Sequence, residues 1–264
     1  EINNVIQGIF WTANKLYGLS FRERTEDYPQ YHKQQQSWDV IDKKGNLIAI
    51  FYSDYYPRDG KGAGAWCGRF RPQSYDGAMR VQPIVTNVCN MTLPAEEGGP
   101  ALQTVDNVLT MFHEFGHALH SFFRDVQYEG TGGVERDFVE LPSQINEHWA
   151  FEPEVLRQYA RHYRTGEVIP QELVEKIDAS SKYGQGFATV EYLAASYVDL
   201  DLHYLTEMPK KLDVMKFQAE KMRKRGMPSQ ILPRYSVTNF SHTMGGGYSA
   251  GYYSYIWAEV LDAD

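Results

Sequence analysis

Cysteine is almost missing from this chain: Cys67 and Cys89 are the only two in 264 residues. That excludes a disulfide framework and a cysteine-built zinc cluster, and leaves two reduced thiols as the expectation. Long hydrophobic runs are lacking as well. None approaches the roughly 20 residues a membrane-crossing helix requires, so no membrane partner is expected. Basic charge is scarce: 26 Lys and Arg stand against 34 Asp and Glu, a formal charge of −8. A nucleic-acid partner wants a basic face and is not expected either. The basic cluster KMRKRG at 221–226 ends a helical pattern, where cations complement the helix dipole. Neither an initiator Met nor a basic-then-apolar leader opens the chain, and it stops inside the helix-like YIWAEVLDAD. It reads as a piece of a longer protein, truncated at both ends. A cytoplasmic location is the first expectation and the periplasm the alternative.

What is present is the composition of a soluble globular protein, 42% hydrophobic and 23% charged, long enough for a sizeable core. Residues 1–16 carry apolar side chains at helical spacing. Strand-like segments follow, SFRER, SWDVID, LIAIFYSDYY, AWCGRF and VQPIVTNVCNM, several bounded by turn signals such as KKGN and PRDGKG. From about residue 103 the pattern is helical, over 103–123, 137–151, 153–164, 171–204, 213–225 and 247–262. Gly184 and Gly186 are expected to split the fourth of these. The fold class is therefore α+β, predominantly helical, with a small mixed sheet packed on helices. One region covers 1–264, strand-rich over about 17–95 and helical over about 100–264.

One apolar helical stretch, TMFHEFGHALHSFF at 110–123, carries three histidines and a glutamate. A helix turns about 100° per residue, so His113 and His117 project from one face, one turn apart. Two imidazoles so placed can share one ion, and Glu114 between them can reach a water on that ion without being a ligand. Chance polar residues on a helix surface are the competing explanation. The surrounding Phe112, Phe115, Leu119, Phe122 and Phe123 argue against it, because a buried imidazole without a partner is costly. Only the 113/117 pairing leaves a carboxylate between the ligands, so His120 is assigned either to a supporting place behind the ligands or to packing. Zinc that hydrolyses usually has three protein ligands and an open position. In ERDFVELPSQINEHWAFE, Glu140 and Glu147 are seven apart on one helical face: one can bind the ion and the other orient a ligand imidazole. Spacing only slightly favours Glu140 as ligand and Glu147 behind it. Glu129 and Glu135 are rivals in a glycine-rich loop.

Other features are open on spacing alone. Tyr248, Tyr252 and Tyr255, spaced four and three, form a helical stripe that is either packing or a set of oxyanion donors. The glycines of GKGAGAWCGRF at 60–70, Gly64 and Ala65 among them, either make a turn before a core strand or expose a strand edge to which a peptide can add. Arg58, Lys61, Arg80 and Arg234 are candidate cations for a free carboxylate. His32, His148, His162 and His203 lack ligand spacing, Trp11, Trp38, Trp149 and Trp257 suit packing, and the paired acids of DLDLHY at 199–204 are expected to face solvent.

Three stretches together, FHEFGHALH, RDFVELPSQINEHW and HTMGGGYSAGYYSYIW, resemble the thimet oligopeptidase and peptidyl-dipeptidase family of zinc peptidases. The likeness runs through nearly the whole chain and includes GAGAWCGRF and GPALQTVDNVLTMFHEFGH. SQINEHWA and the triple glycine before Tyr248 are more similar to the bacterial peptidyl-dipeptidase branch than to the animal endopeptidases. The resemblance implies a zincin-like catalytic region and one Zn2+ per chain on His113, His117 and Glu140, with short peptides as partners. Under it Glu114 is the general base, and His242, Tyr248 and Tyr255 contact substrate and transition state. Tyr252 is a further channel tyrosine, and Gly64 and Ala65 border the cleft. It further implies that a missing N-terminal half completes the substrate channel. The activity it implies is release of C-terminal dipeptides, with an oligopeptide endopeptidase as the nearest alternative. A non-catalytic helical module with structural zinc is the remaining one, and Glu114 argues against it.

Overall fold

The computed structural model describes residues 1–207 and 210–264. The first helix, α1 (Ile2–Tyr17), forms because Ile2, Val5, Ile6, Ile9 and Phe10 recur on one face and are all buried. The Glu1 carboxylate accepts the Asn3 and Asn4 N–H groups at its start. Gly18, at φ 71°, ends it in the left-handed conformation that glycine adopts without strain.

Among the described residues seven strands follow: β1 (Ser20–Glu23), β2 (Gln36–Ile41), β3 (Leu47–Asp54), β4 (Trp66–Arg71), β5 (Ser74–Asp76), β6 (Met79–Val81) and β7 (Ile84–Val88). Five of them make a mixed sheet in the order β1-β2-β3-β7-β4, with β3 and β7 parallel and the other neighbours antiparallel. The small β5–β6 hairpin was not read from the sequence, although the Asp76–Gly77 pair is a turn signal. One sheet face packs on α1 and on α2 (Val105–Phe122) through an aromatic core. Phe115 lies 5.6 Å from Phe51, 5.9 Å from Phe10 and 6.0 Å from Phe122, ring centre to ring centre. The Phe51 and Phe122 pairs are edge-to-face, and such packing adds about 0.5–1.5 kcal/mol per pair beyond burial.

The chain divides into two compact units, residues 1–134 with 141–170, and residues 135–140 with 171–264. The first holds α1, the sheet, α2, α3 (Leu141–His148) and α4 (Pro153–Tyr159). The second holds α5 (Gln171–Ser181), α6 (Gln185–His203), α7 (Val214–Lys224), the short α8 (Ser241–Met244) and α9 (Ser254–Ala263). Among the described residues its interior includes Ala194, Val198 and Met222 between α6 and α7, and Ala195, Phe240 and Tyr252 beneath Tyr192, Tyr235 and Tyr255.

The helices expected over 137–151, 153–164 and 247–262 have other boundaries in the structure. The helix expected over 137–151 starts only at Leu141, and Asp137–Glu140 form a turn. Pro142 explains this: in a longer helix its ring would clash with the residue 138 carbonyl, whereas the first turn tolerates it. The helix expected over 153–164 ends at Tyr159, whereas the split expected near Gly184 in 171–204 is present, with Gly184 at φ 73°. The helix expected from 247 starts at Ser254, after a run of turns containing Gly247 and Ala250 at positive φ.

Candidate metal centre and active site

Helix α2 begins where the Thr104 hydroxyl accepts the Asn107 N–H at 3.1 Å. Its other end is closed by Arg80, whose guanidinium donates to the carbonyls of Phe122 and Arg124. Met111, Phe112, Phe115, Ala118, Leu119 and Phe122 bury the sheet-facing side. The adjoining side carries the His113 and His117 rings, half-buried, with centres 5.0 Å apart and planes at 85°. Glu114 is buried at 5% exposure. The His113 Nδ1 lies 2.6 Å from the Glu147 carboxylate on α3, which leaves Nε2 as the nitrogen that can face an ion.

Glu140 is peptide-bonded to Leu141, the first residue of α3, and α3 lies directly on α2. The approach is between backbones. A methyl group on Gly116 would fall 2.5 Å from the Pro142 carbonyl oxygen and 2.7 Å from Ser143 Cα. The Asn146 amide also donates to the Phe112 carbonyl at 2.6 Å. Gly116 and Asn146 were missed by the sequence reading. The small residue inside HEFGH was the available signal, since glycine in a helix interior usually marks a close approach. The outcome is a group of three: one donor atom from each of His113, His117 and Glu140 lies within 4.8 Å of the others. Two imidazoles and one carboxylate are the donor set of a hydrolytic metal site with an open position. Glu140, although outside the helix it was expected to share with Glu147, is 1% exposed, where an ionised carboxylate needs partners. One partner is the Tyr248 hydroxyl, which donates to Glu140 Oε1.

His120, Glu129 and Glu135 stand outside this group. Burial and then the nearby Arg124 push the His120 pKa down, in keeping with a neutral packing histidine. Burial raises the thiols of Cys67 and Cys89, and the charge of Glu114 raises them further, so both stay protonated.

The three tyrosines do not form a helical stripe. Tyr248 and Tyr252 precede α9, and only Tyr255 lies on it. The chain folds back instead. Tyr248 stacks on Tyr255 at 5.4 Å and 18°, Tyr252 lies 5.6 Å from Tyr255, and His242 on α8 is 5.9, 5.4 and 6.2 Å from Tyr248, Tyr252 and Tyr255. The Arg136 guanidinium covers the Tyr248 ring at 4.4 Å. Burial first, then the Glu140 charge, hold the Tyr248 and Tyr255 hydroxyls far above their ordinary pKa, so both remain donors at neutral pH. Burial and Arg234 lower the His242 pKa, and that ring is neutral.

Gly64 and Ala65 lead into β4, which among the described residues pairs only with β7 and forms one edge of the sheet. The loop before them is tied to Asp54. Its buried carboxylate accepts two bonds from Arg58 at 2.7 and 2.8 Å, one from Lys61 at 3.0 Å and one from Tyr31 at 2.8 Å. Asn90 donates to the Gly62 and Gly64 carbonyls. Of the four candidate cations, Arg58 and Lys61 are thus engaged by Asp54, and Arg80 by backbone carbonyls. The Arg234 guanidinium lies 5.9 Å from the Tyr235 ring and has no hydrogen bond or ion pair among the described residues. Of the two acids expected to face solvent on α6, Asp199 is wholly buried, whereas Asp201 is partly exposed and pairs with Arg225.

No helix among the described residues is long and apolar enough to cross a membrane. The family model for peptidase family M3 matches residues 1–264. The chain is 44% identical to the dipeptidyl carboxypeptidase of Escherichia coli over all of its own length and 39% of that protein's. It is 36% identical to oligopeptidase A of Escherichia coli over 99% of its length, and 30% identical to saccharolysin of Saccharomyces cerevisiae over 98%. It spans about two fifths of these relatives, 39% of the second and 38% of the third. A match over every residue, joined to a two-histidine, one-glutamate group whose histidines lie on the helix where the motif predicts them, means that the chain belongs to peptidase family M3.

Proposed function

We propose that this chain is the zincin-like catalytic region of a zinc peptidase that releases dipeptides from the C termini of short peptides. The observation that carries the reading is the convergence of His113, His117 and Glu140, with Glu114 beside them and Glu147 against His113. The donor set fits zinc, and one ion per chain is expected on it. Zinc held there would supply a Lewis acid and bring the pKa of a bound water to about 7.

The side chains then have distinct tasks. Glu147 fixes the His113 ring through Nδ1. The Glu114 carboxylate takes a proton from the attacking water and passes it to the departing amine nitrogen. Tyr248 and Tyr255, held protonated, donate to the oxyanion of the tetrahedral intermediate. For Tyr248 this means exchanging its present bond to Glu140 for one to substrate. His242 contacts the substrate. The β4 edge with Gly64 and Ala65 takes the peptide backbone as an added strand, which suits loose sequence preference. Arg234 is assigned to the free C-terminal carboxylate, because the other three candidate cations are engaged elsewhere. The remainder of the longer protein completes the channel.

The test combines metal analysis with cleavage of one peptide in free and C-terminally amidated forms. Stoichiometric zinc, release of dipeptides from the free form alone, and loss of about 10^3-fold or more in kcat for Glu114→Gln with zinc retained are expected. Equal cleavage of both forms would instead identify an oligopeptide endopeptidase, as the likeness to oligopeptidase A allows. A Glu114→Gln variant as fast as the parent would end the peptidase reading.

A further inference from the structure

The turn that carries Tyr248 and Tyr252 is held from one side by α6, and the principal hold is a single carboxylate. Asp199 is wholly buried in the second half of that helix. Its Oδ1 accepts the Ala250 N–H at 2.9 Å and its Oδ2 accepts the Tyr252 N–H at 3.0 Å. His203, one turn further along α6, places its Nδ1 2.9 Å from Oδ1. Ala250, at φ 54°, is the only non-glycine residue of positive φ among the described residues. An alanine does not hold that conformation unless its surroundings over-determine it, and such strain concentrates at functional sites. Two N–H groups of one tight turn converging on one buried anion supply that determination. A second tether comes from Tyr192, also on α6, whose hydroxyl donates to the Tyr252 carbonyl.

We infer that Asp199 is a positioning residue for the reaction: it sets the turn 248–252 so that the Tyr248 and Tyr255 hydroxyls are placed before substrate arrives. The inference rests on the role proposed for Tyr248. Geometry links clamp to hydroxyls. Tyr252, whose N–H is clamped, packs on Phe240 at 4.7 Å and on Tyr255 at 5.6 Å, and Tyr255 stacks on Tyr248. A turn released from α6 shifts all three rings together. A misplacement of about 1 Å costs on the order of 10^2-fold in rate.

The test uses Asp199→Asn in the full-length, zinc-loaded protein. An asparagine keeps one acceptor and turns a donor amide toward one of the two N–H groups. Expected are a fall in kcat of about 10–100-fold with KM within about threefold, unchanged zinc content, and faster amide exchange at Ala250 or Tyr252. In a Tyr248→Phe background the same substitution should cost less than in the parent, with only the share carried by Tyr255 remaining, because residues acting as one unit are not additive. An equal loss in both backgrounds would show that Asp199 supports the fold alone and would overturn the inference. A rise in KM with kcat intact would overturn it too. A fast Tyr248→Phe enzyme refutes the role of the tyrosine itself, whereas a slow one beside a fast Asp199→Asn refutes only the clamp. Should Asp199→Asn not fold, Tyr192→Phe withdraws the second tether: lowered kcat, non-additive with Tyr248→Phe, supports the inference, and an unchanged kcat overturns it.

Discussion

At the scale of single residues, chemistry depends on what stands behind each donor atom. The Glu147 carboxylate at 2.6 Å from His113 Nδ1 selects the tautomer that leaves Nε2 for an ion. Glu147→Gln keeps the shape but removes the charge, and Glu147→Ala removes both. We expect zinc affinity to fall by about 10–100-fold in the alanine variant and by less in the glutamine one, measured by chelator competition. An alanine variant that binds zinc as tightly as the parent would show that Glu147 does not orient the ligand. The two imidazoles were legible in the sequence because helical periodicity alone puts residues four apart on one face. Glu147 against His113 was legible less directly, since its supposed shared helix with Glu140 does not exist. The burial of Asp199 was illegible: periodicity says which residues share a face of α6, but not that a distant turn covers that face.

At the scale of elements, two close approaches decide where the site residues go. Gly116 lets the backbones of α2 and α3 meet, and Glu140 immediately precedes α3. Gly116→Ala drives a methyl group against backbone that cannot rotate away. We expect a destabilisation of about 1–3 kcal/mol by denaturant unfolding, together with weaker zinc binding as α3 shifts. Weakened stability with unaltered zinc affinity would disconnect the helix contact from the site. The loop before β4 is the second case. Burial disfavours a charged Asp54, but Arg58, Lys61 and Tyr31 outweigh it and hold its pKa below the ordinary value. A depressed folded pKa adds stability above the unfolded value, near 3.9, and the gain disappears as pH falls through the folded value. Asp54→Asn should therefore cost about 3–5 kcal/mol at pH 7, with the difference from wild type shrinking below about pH 4. A pH-independent difference would mean that the charge of Asp54 is not what ties the loop. The strands and most helices were legible at this scale from alternation and apolar spacing. The ends of α3 and α9 were not, because Pro142 and the left-handed turn at Ala250 override patterns that otherwise continue.

At the scale of the whole molecule, the three candidate ligands come from parts of the chain that are 23 residues apart between His117 and Glu140, and no unfolded chain keeps them together. Metal binding is then linked to folding. An ion that binds only the folded form, at a free concentration 100 times its dissociation constant, adds about 2.7 kcal/mol. For a chain of 264 residues, each kcal/mol moves the melting temperature by about 2–4 °C. Removing the metal with a chelator should therefore lower the melting temperature by roughly 5–10 °C, and adding zinc should restore it. The variants separate folding from chemistry. Glu114→Gln, which alters no ligand, should keep the whole shift while losing turnover, and His113→Ala or Glu140→Ala should lose the shift along with the metal. A shift that survives in Glu140→Ala would place the third ligand elsewhere, and would return the choice to the acids of the loop before it, Glu129 and Glu135.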